Sequence, residues 1–302
     1  MKIKEFEIEN LYGKYSFKSQ LDENVNIIVG NNGTFKTTIL DFIRFLAIDS
    51  VEPTLTYESV SMSLEDGIVV TSKPTASRSE GKDTKVNVTL TYSTREIALN
   101  GQTIPAEEYP KHLKFDFIST FDIKDKDVNT QQTFLDKRLM QLQSDYGYYL
   151  NGLQKQFTGY LNKQGVVTKE VYDQIYTRKT LFDNLVNEAF KETGKVIDNE
   201  SDKLRFIIDG KTSIDANKLS SGEKQLLIIL LTVLLEDGQE YVLMMDEPEI
   251  SLHISWQYEL LNWILELNPN VQLILTTHSP SIFSDGWGEK AIYMEDITTK
   301  KI

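Results

Sequence analysis

The segment Gly30-Asn31-Asn32-Gly33-Thr34-Phe35-Lys36-Thr37 constrains this chain more than any other. In front of it runs Val25-Asn26-Ile27-Ile28-Val29, an apolar stretch of strand length. Behind it Ile39, Leu40, Phe42, Ile43 and Leu46 recur at helical spacing. A glycine-rich loop in that setting offers backbone N–H groups and the positive end of a helix to an anion. The loop then ends on Lys36 and Thr37, the pair that completes a triphosphate cradle. Gly30, Asn31, Asn32, Gly33, Thr34, Phe35, Lys36, Thr37 and Thr38 are therefore the candidate nucleotide contacts. Lys36 would reach the β- and γ-phosphates, and the Thr37 hydroxyl would ligate Mg²⁺. The fold must then be α/β, with the loop at the end of a buried strand.

One position departs from the usual pattern. Glycine ordinarily precedes the lysine, and here Phe35 does. A Cβ and a ring are expected to crowd the loop or to change its backbone angles. On that expectation nucleotide binding is kept and hydrolysis is slow.

Three further segments add the parts that phosphate chemistry needs. Tyr241-Val242-Leu243-Met244-Met245 predicts a buried parallel strand delivering Asp246 and Glu247 to its C-terminal end. Asp246 would hold Mg²⁺ directly or through water, and Glu247 would activate the attacking water as general base. Ser220-Ser221-Gly222-Glu223 opens a helix running on to Leu235, with Ser220 as N-cap and free N–H groups facing outward. His278 follows the strand-like Val271 to Leu275, at the place where a γ-phosphate contact belongs. His253 lies in the loop after the carboxylates, and His112 has no motif around it.

In this order the motifs resemble the ABC-type ATPases of the RecF, SMC and overcoming-lysogenization-defect (OLD) group. The features that point away from transporter ATPases are Asp246-Glu247-Pro248-Glu249-Ile250-Ser251-Leu252-His253 and Thr277-His278-Ser279-Pro280. Leu219 to Glu223 matches the ABC signature, with Ser221 for one glycine and Glu223 for the usual glutamine. The resemblance implies a P-loop head that binds ATP and Mg²⁺ and hydrolyses ATP. It also implies a head-to-tail homodimer, or a higher homo-oligomer, in which Ser220, Ser221, Gly222 and Glu223 close over the other subunit's ATP. Gln131 or Gln132 is implied as the glutamine between the lobes, and Tyr12 or Tyr15 as the aromatic beside adenine.

OLD relatives carry a nuclease domain after the ATPase, and SMC relatives carry long coiled-coil arms. Neither is expected here, because the helical patterns sustain no long heptads and the chain ends soon after His278. A bare head of this kind resembles the ATPase components of bacterial anti-phage systems. Those components imply a separately encoded effector, expected to be a nuclease. Two alternatives stay open: a DNA-repair ATPase that clamps DNA, and a scaffold that binds ATP without hydrolysing it.

The remaining organisation follows from periodicity. The chain is expected to be one domain, with a core lobe at 1–118 and 205–302 and a helical lobe at 119–204. An antiparallel β meander is predicted from about 54 to 104, with turns at Glu65-Asp66-Gly67 and Asn100-Gly101 and its least ordered part from Ser72 to Thr84. One apolar stripe, Leu135, Leu139, Leu142, Tyr146, Tyr149, Leu153, Phe157 and Tyr160, predicts a helix that Gly147, Gly152 and Gly159 are expected to weaken. A second helix carries Val171 to Ala189, and a hairpin turns at Asp209-Gly210.

Charge and cysteine content narrow the partners. The formal charge of −13 argues against a dedicated basic DNA-binding domain, although a local groove for nucleic acid stays open. Lys211, Lys218 and Lys224 beside the signature are expected to form a solvated face. The chain has no cysteine, so disulfides and thiolate metal sites are excluded. No run is long enough to span a bilayer, and a cytoplasmic location is expected.

Overall fold

Burial alternates along the outer strands and stops alternating at the centre of the molecule. The computed structural model describes residues 1–48, 52–76, 91–105, 113–119, 133–201 and 203–301. Strands β1 (Ile3–Leu11), β2 (Tyr15–Gln20) and β3 (Val25–Val29) lead into helix α1 (Lys36–Ile48). The meander follows as β4 (Ser59–Leu64), β5 (Ile68–Ala76), β6 (Thr91–Leu99) and β7 (Gln102–Ile104), and then comes β8 (Phe115–Ser119). Helices α2 (Phe134–Gln164) and α3 (Lys169–Ala189) precede β9 (Lys195–Ile197), β10 (Arg205–Ile208) and β11 (Thr212–Asp215). The chain closes with α4 (Ser221–Leu235), β12 (Tyr241–Asp246), α5 (Ile254–Leu267), β13 (Val271–Thr277), β14 (Ala291–Tyr293), α6 (Met294–Ile297) and β15 (Thr298–Lys300).

These elements form an antiparallel sheet in the order β15-β2-β1-β4-β5-β6-β7, a parallel sheet in the order β14-β3-β13-β12-β8 and a small antiparallel sheet in the order β11-β10-β9. The parallel sheet is covered on both faces, which explains its continuous apolar runs. Tyr241, Leu243 and Met245 of β12 face α4 and α5, whereas Val242 and Met244 face α1 and the antiparallel sheet. Period two therefore divides one buried strand between two cores. Helix α1 lies between the sheets and buries Ile39, Leu40, Phe42 and Ile43. Helix α4 is buried nearly all round, as its run from Leu226 to Leu235 requires.

The turns at Gly67 and at Asn100-Gly101 join the meander as the pattern predicts, with β5 and β6 in register from Ile68↔Leu99 to Ala76↔Thr91. Ser72 to Ala76, expected in the least ordered stretch, are strand residues of β5, and Ser72 is fully buried. Ser72 pairs with β4 and β6, and Lys73 to Ala76 continue the ladder with β6, so ladder hydrogen bonds hold the strand whatever its side chains. The rest of that stretch lies outside the described residues. Helix α2 runs unbroken for 31 residues through its three glycines. Leu135, Leu139, Leu142, Tyr146 and Leu153 bury one stripe, and Thr133 with Asp136 forms a capping box at its start. Tertiary burial overrides the helix-weakening effect of the glycines.

Candidate active site

Parallel register brings the motifs together. Asp246 at the end of β12 pairs with Thr276 of β13, and Thr277 pairs with Val29 of β3. The ends of three adjacent strands thus carry Gly30, Asp246-Glu247 and His278 to one edge, outside the carboxyl ends where ligands bind in such sheets.

The loop from Gly30 to Phe35 enters α1 at Lys36. Gly30 has no room for a side chain, because a Cβ there would press on Met294 and on the Thr34 hydroxyl. Gly33 and Phe35 both have left-handed φ, +76° and +70°. Phe35 therefore adopts the backbone that glycine usually supplies, at the strain cost a Cβ brings. Its half-buried ring packs against Tyr15, Phe17 and Tyr12, with centroids 5.1, 5.6 and 6.1 Å away. The expected crowding is thus absorbed outside the loop. Both candidate adenine aromatics, Tyr12 and Tyr15, are partners of Phe35. Tyr15 also lines a cleft of about 480 Å³ beside Gly33-Thr34-Phe35, with Met294, Glu295 and Lys300 on the other wall.

Lys36 is buried, and its Nζ donates to the carbonyls of Gly30 (3.0 Å) and Asn31 (3.3 Å). The same nitrogen lies 2.6 Å from His278 Nε2. Burial lowers the Lys36 pKa, while the charges of Glu247, Asp246 and Glu249 oppose that shift. His278 Nε2 in turn lies 3.1 Å from Glu247 Oε1. One imidazole nitrogen therefore stands between the loop lysine and the expected general base.

The Thr37 hydroxyl donates to both carboxylate oxygens of Asp246, at 3.1 and 3.0 Å. Thr276 Oγ1 also donates to Asp246 Oδ1, which fixes the carboxylate plane. An alcohol and a carboxylate facing one another are hard oxygen donors, and they fit Mg²⁺ shared with phosphate oxygens. Glu247 sits at φ +48°, its N–H bonded to the Thr276 carbonyl at 3.1 Å, so its side chain leaves the strand sideways.

The signature residues divide into two pairs. Ser220 and Ser221 are exposed at the start of α4, and Gly222 and Glu223 are buried in their own chain. Ser220 accepts from Glu223 N and completes a capping box. Glu223 Oε1 accepts from Lys195 Nζ (2.7 Å) and from the Thr193 hydroxyl (2.9 Å). Burial would raise the Glu223 pKa, but the Lys195 and Ser220 bonds outweigh it and hold the carboxyl low. Of the three nearby lysines, Lys211 and Lys218 are exposed, whereas Lys224 pairs with Asp136 at 2.7 Å. His253 is exposed and caps α5 through Ser255. Gln131, Gln132 and His112 lie outside the described residues.

Glu249 is the site residue that sequence reasoning passed over. It is buried, and its Oε1 accepts from the Thr277 hydroxyl at 2.5 Å, His278 N at 3.0 Å and Ser279 N at 3.3 Å. Its place two residues beyond Glu247 was the available signal.

Fold and site together define a P-loop ATPase head of the ABC type, with the architecture of the SMC heads. The SMC head domain from Thermotoga maritima superposes with a TM-score of 0.53 at 14% identity, covering 94% of this chain and 92% of that one. The chain belongs to the family described as "AAA domain, putative AbiEii toxin, Type IV TA system", matched over residues 25–284. It is also similar to the Septu protein PtuA of Bacillus thuringiensis, 25% identical across 92% of this chain and 72% of that protein. A shorter match, 35% identical over 26% of this chain, joins it to the Retron Ec83 probable ATPase of Escherichia coli, of which it spans 17%. Among the described residues, no helix is long and apolar enough to cross a membrane.

Proposed function

We propose that this protein is an ATP-hydrolysing dimeric switch that controls a separately encoded effector in anti-phage defence. The observation that carries the enzymatic part is the contact chain from Lys36 through His278 to Glu247, beside the Thr37–Asp246 pair. The two relatives named for the Septu and Ec83 retron systems support the defence setting.

In this reading Lys36 releases the Gly30 and Asn31 carbonyls and turns to the β- and γ-phosphates. Thr37 and Asp246 would hold Mg²⁺, which when bound would supply charge neutralisation on the triphosphate. Glu247 orients and deprotonates the attacking water, and His278 fixes the γ-phosphate from the other side. Buried Glu223 holds the end of α4 in place, which leaves Ser220 and Ser221 as the surface offered to a second subunit's nucleotide. The division into a core lobe (1–118 and 205–302) and a helical lobe (119–204) belongs to this proposal. The effector is proposed to be a nuclease.

The test is phosphate release with Mg-ATP by wild type and by Glu247→Gln, alongside nucleotide affinity and sedimentation. The expected result is turnover in wild type, and in the variant retained affinity, no turnover and a trapped dimer. Equal turnover in both proteins would defeat the assignment, and nucleotide binding without turnover in wild type would favour the scaffold alternative.

A further inference from the structure

We propose that Glu249 is a positioning residue: its buried carboxylate holds the Thr277-His278-Ser279 turn so that the His278 ring stands between Lys36 and Glu247. This rests on the reading of Glu247 and His278 as parts of an ATPase site.

The geometry is specific. One oxygen, Oε1, accepts from the Thr277 hydroxyl and from the backbone N–H groups of His278 and Ser279. Three donors on one carboxylate oxygen form a small anion nest, built from the last residue of β13 and the turn that follows it. The other oxygen, Oε2, is buried with no hydrogen-bond partner among the described residues, so within them the side chain is held through Oε1. Charge-assisted bonds of this kind are about twice as strong as neutral ones. A second tie runs in parallel: Ser279 Oγ donates to Gln257 Oε1 at 2.8 Å, and Gln257 Nε2 donates to the Leu252 carbonyl at 3.1 Å.

Both ties join the loop after the acidic pair to the turn that carries the histidine. The His278 main chain cannot shift without breaking them, yet its ring is partly exposed, and its Nε2 meets the long side chains of Lys36 and Glu247. The main chain, held by Glu249, therefore sets where Nε2 points. A catalytic group displaced by about 1 Å loses on the order of 100-fold in rate.

The experiment compares Glu249→Ala, Glu249→Gln, His278→Ala and the Glu249→Ala/His278→Ala double variant. Glu249→Ala is expected to lower kcat by roughly 10- to 100-fold while the KM for Mg-ATP stays within about threefold, because Lys36 and Thr37 are untouched. Glu249→Gln keeps an acceptor oxygen and should restore most of that loss. The double variant should be no slower than His278→Ala alone, since Glu249 acts through that ring. Multiplicative losses in the double variant, or wild-type kcat in Glu249→Ala, would overturn the proposal.

A readout without turnover separates it from the ATPase reading. The chain has three histidines, so ¹⁵N-histidine labelling isolates their backbone amides. Losing a charge-assisted bond should move the His278 amide proton upfield in Glu249→Ala, and less in Glu249→Gln, with the His253 amide unmoved. An unmoved His278 amide sinks the proposal even in an active enzyme. A wild type that releases no phosphate sinks the ATPase reading and leaves the amide shift to decide the positioning role.

Discussion

Gly222 at the start of α4 lies directly against the main-chain carbonyl of Ser251, which occupies the place a Cβ at residue 222 would take. The contact joins the signature to the loop behind Asp246-Glu247 within one chain. Ser251 reaches it with a left-handed φ of +71°, an arrangement that costs strain and marks the turn as fixed by its surroundings.

Gly222→Ala should therefore destabilise the protein, although alanine is the better helix former by about 1 kcal/mol. Displacing the Ser251 backbone should cost roughly 1–3 kcal/mol, as overpacking does. The exposed neighbour, Ser221→Ala, should melt like wild type. Thermal melting of the two variants checks this, and equal melting temperatures would mean that the loop yields freely.

Phe35 sets two opposing terms against each other. Phe35→Gly removes left-handed strain of about 1–2 kcal/mol but loses ring packing on Tyr12, Tyr15 and Phe17, up to about 3–5 kcal/mol for a buried phenylalanine. The ring is half-buried, so its loss costs about half of that and the net loss is expected to be roughly 0–1.5 kcal/mol. Phe35→Ala keeps the strain and loses the ring. The melting order should thus be wild type, then glycine, then alanine. If alanine is as stable as glycine, the positive φ carries no strain.

Ser220→Arg should abolish turnover and leave nucleotide affinity intact, because the exposed cap acts on the other subunit's nucleotide in the proposed dimer. Lys36→Ala should lose affinity. Mixing the two inactive proteins places both lesions on one site of a mixed dimer and leaves the other site whole. Partial recovery of phosphate release is the expected result. Full activity of Ser220→Arg alone would reduce the signature to a helix cap.

Asp116 gives a pH prediction. Burial pushes its carboxyl up to about 6; Arg138 opposes the shift, and Glu236 adds to it. An acid whose pKa rises on folding binds its proton more tightly when folded, so ionising it weakens the fold as pH rises from about 4 to 6. Asp116→Asn cannot ionise. Its melting temperature relative to wild type should climb across that window and level off above it. A difference that is flat with pH would place the charge in solvent.

The strand–loop–helix at Lys36, the strand ending in Asp246-Glu247, the Ser220 helix cap and the place of His278 after a buried strand were all legible in the sequence. Each depends on residues within a few positions of one another and on periods of two or 3.6. The meander and the β10–β11 hairpin were legible for the same reason. The continuity of α2 was not, since the local weakness of its glycines is outweighed by a buried stripe that only packing reveals.

The amino-acid order by itself determined which groups stand at the carboxyl edge of the parallel sheet, because the loop and the strand ends carry them at fixed local spacing. Only the tertiary structure decided how those groups are held. Phe35 keeps a glycine-like backbone because Tyr12, Tyr15 and Phe17 close around its ring. Glu249 reaches the His278 turn because β12 and β13 pair in parallel, with Asp246 opposite Thr276. Gly222 must be glycine because of a carbonyl on a different loop. These contacts join residues far apart in the chain, and no local pattern encodes them; strand register and helix packing do.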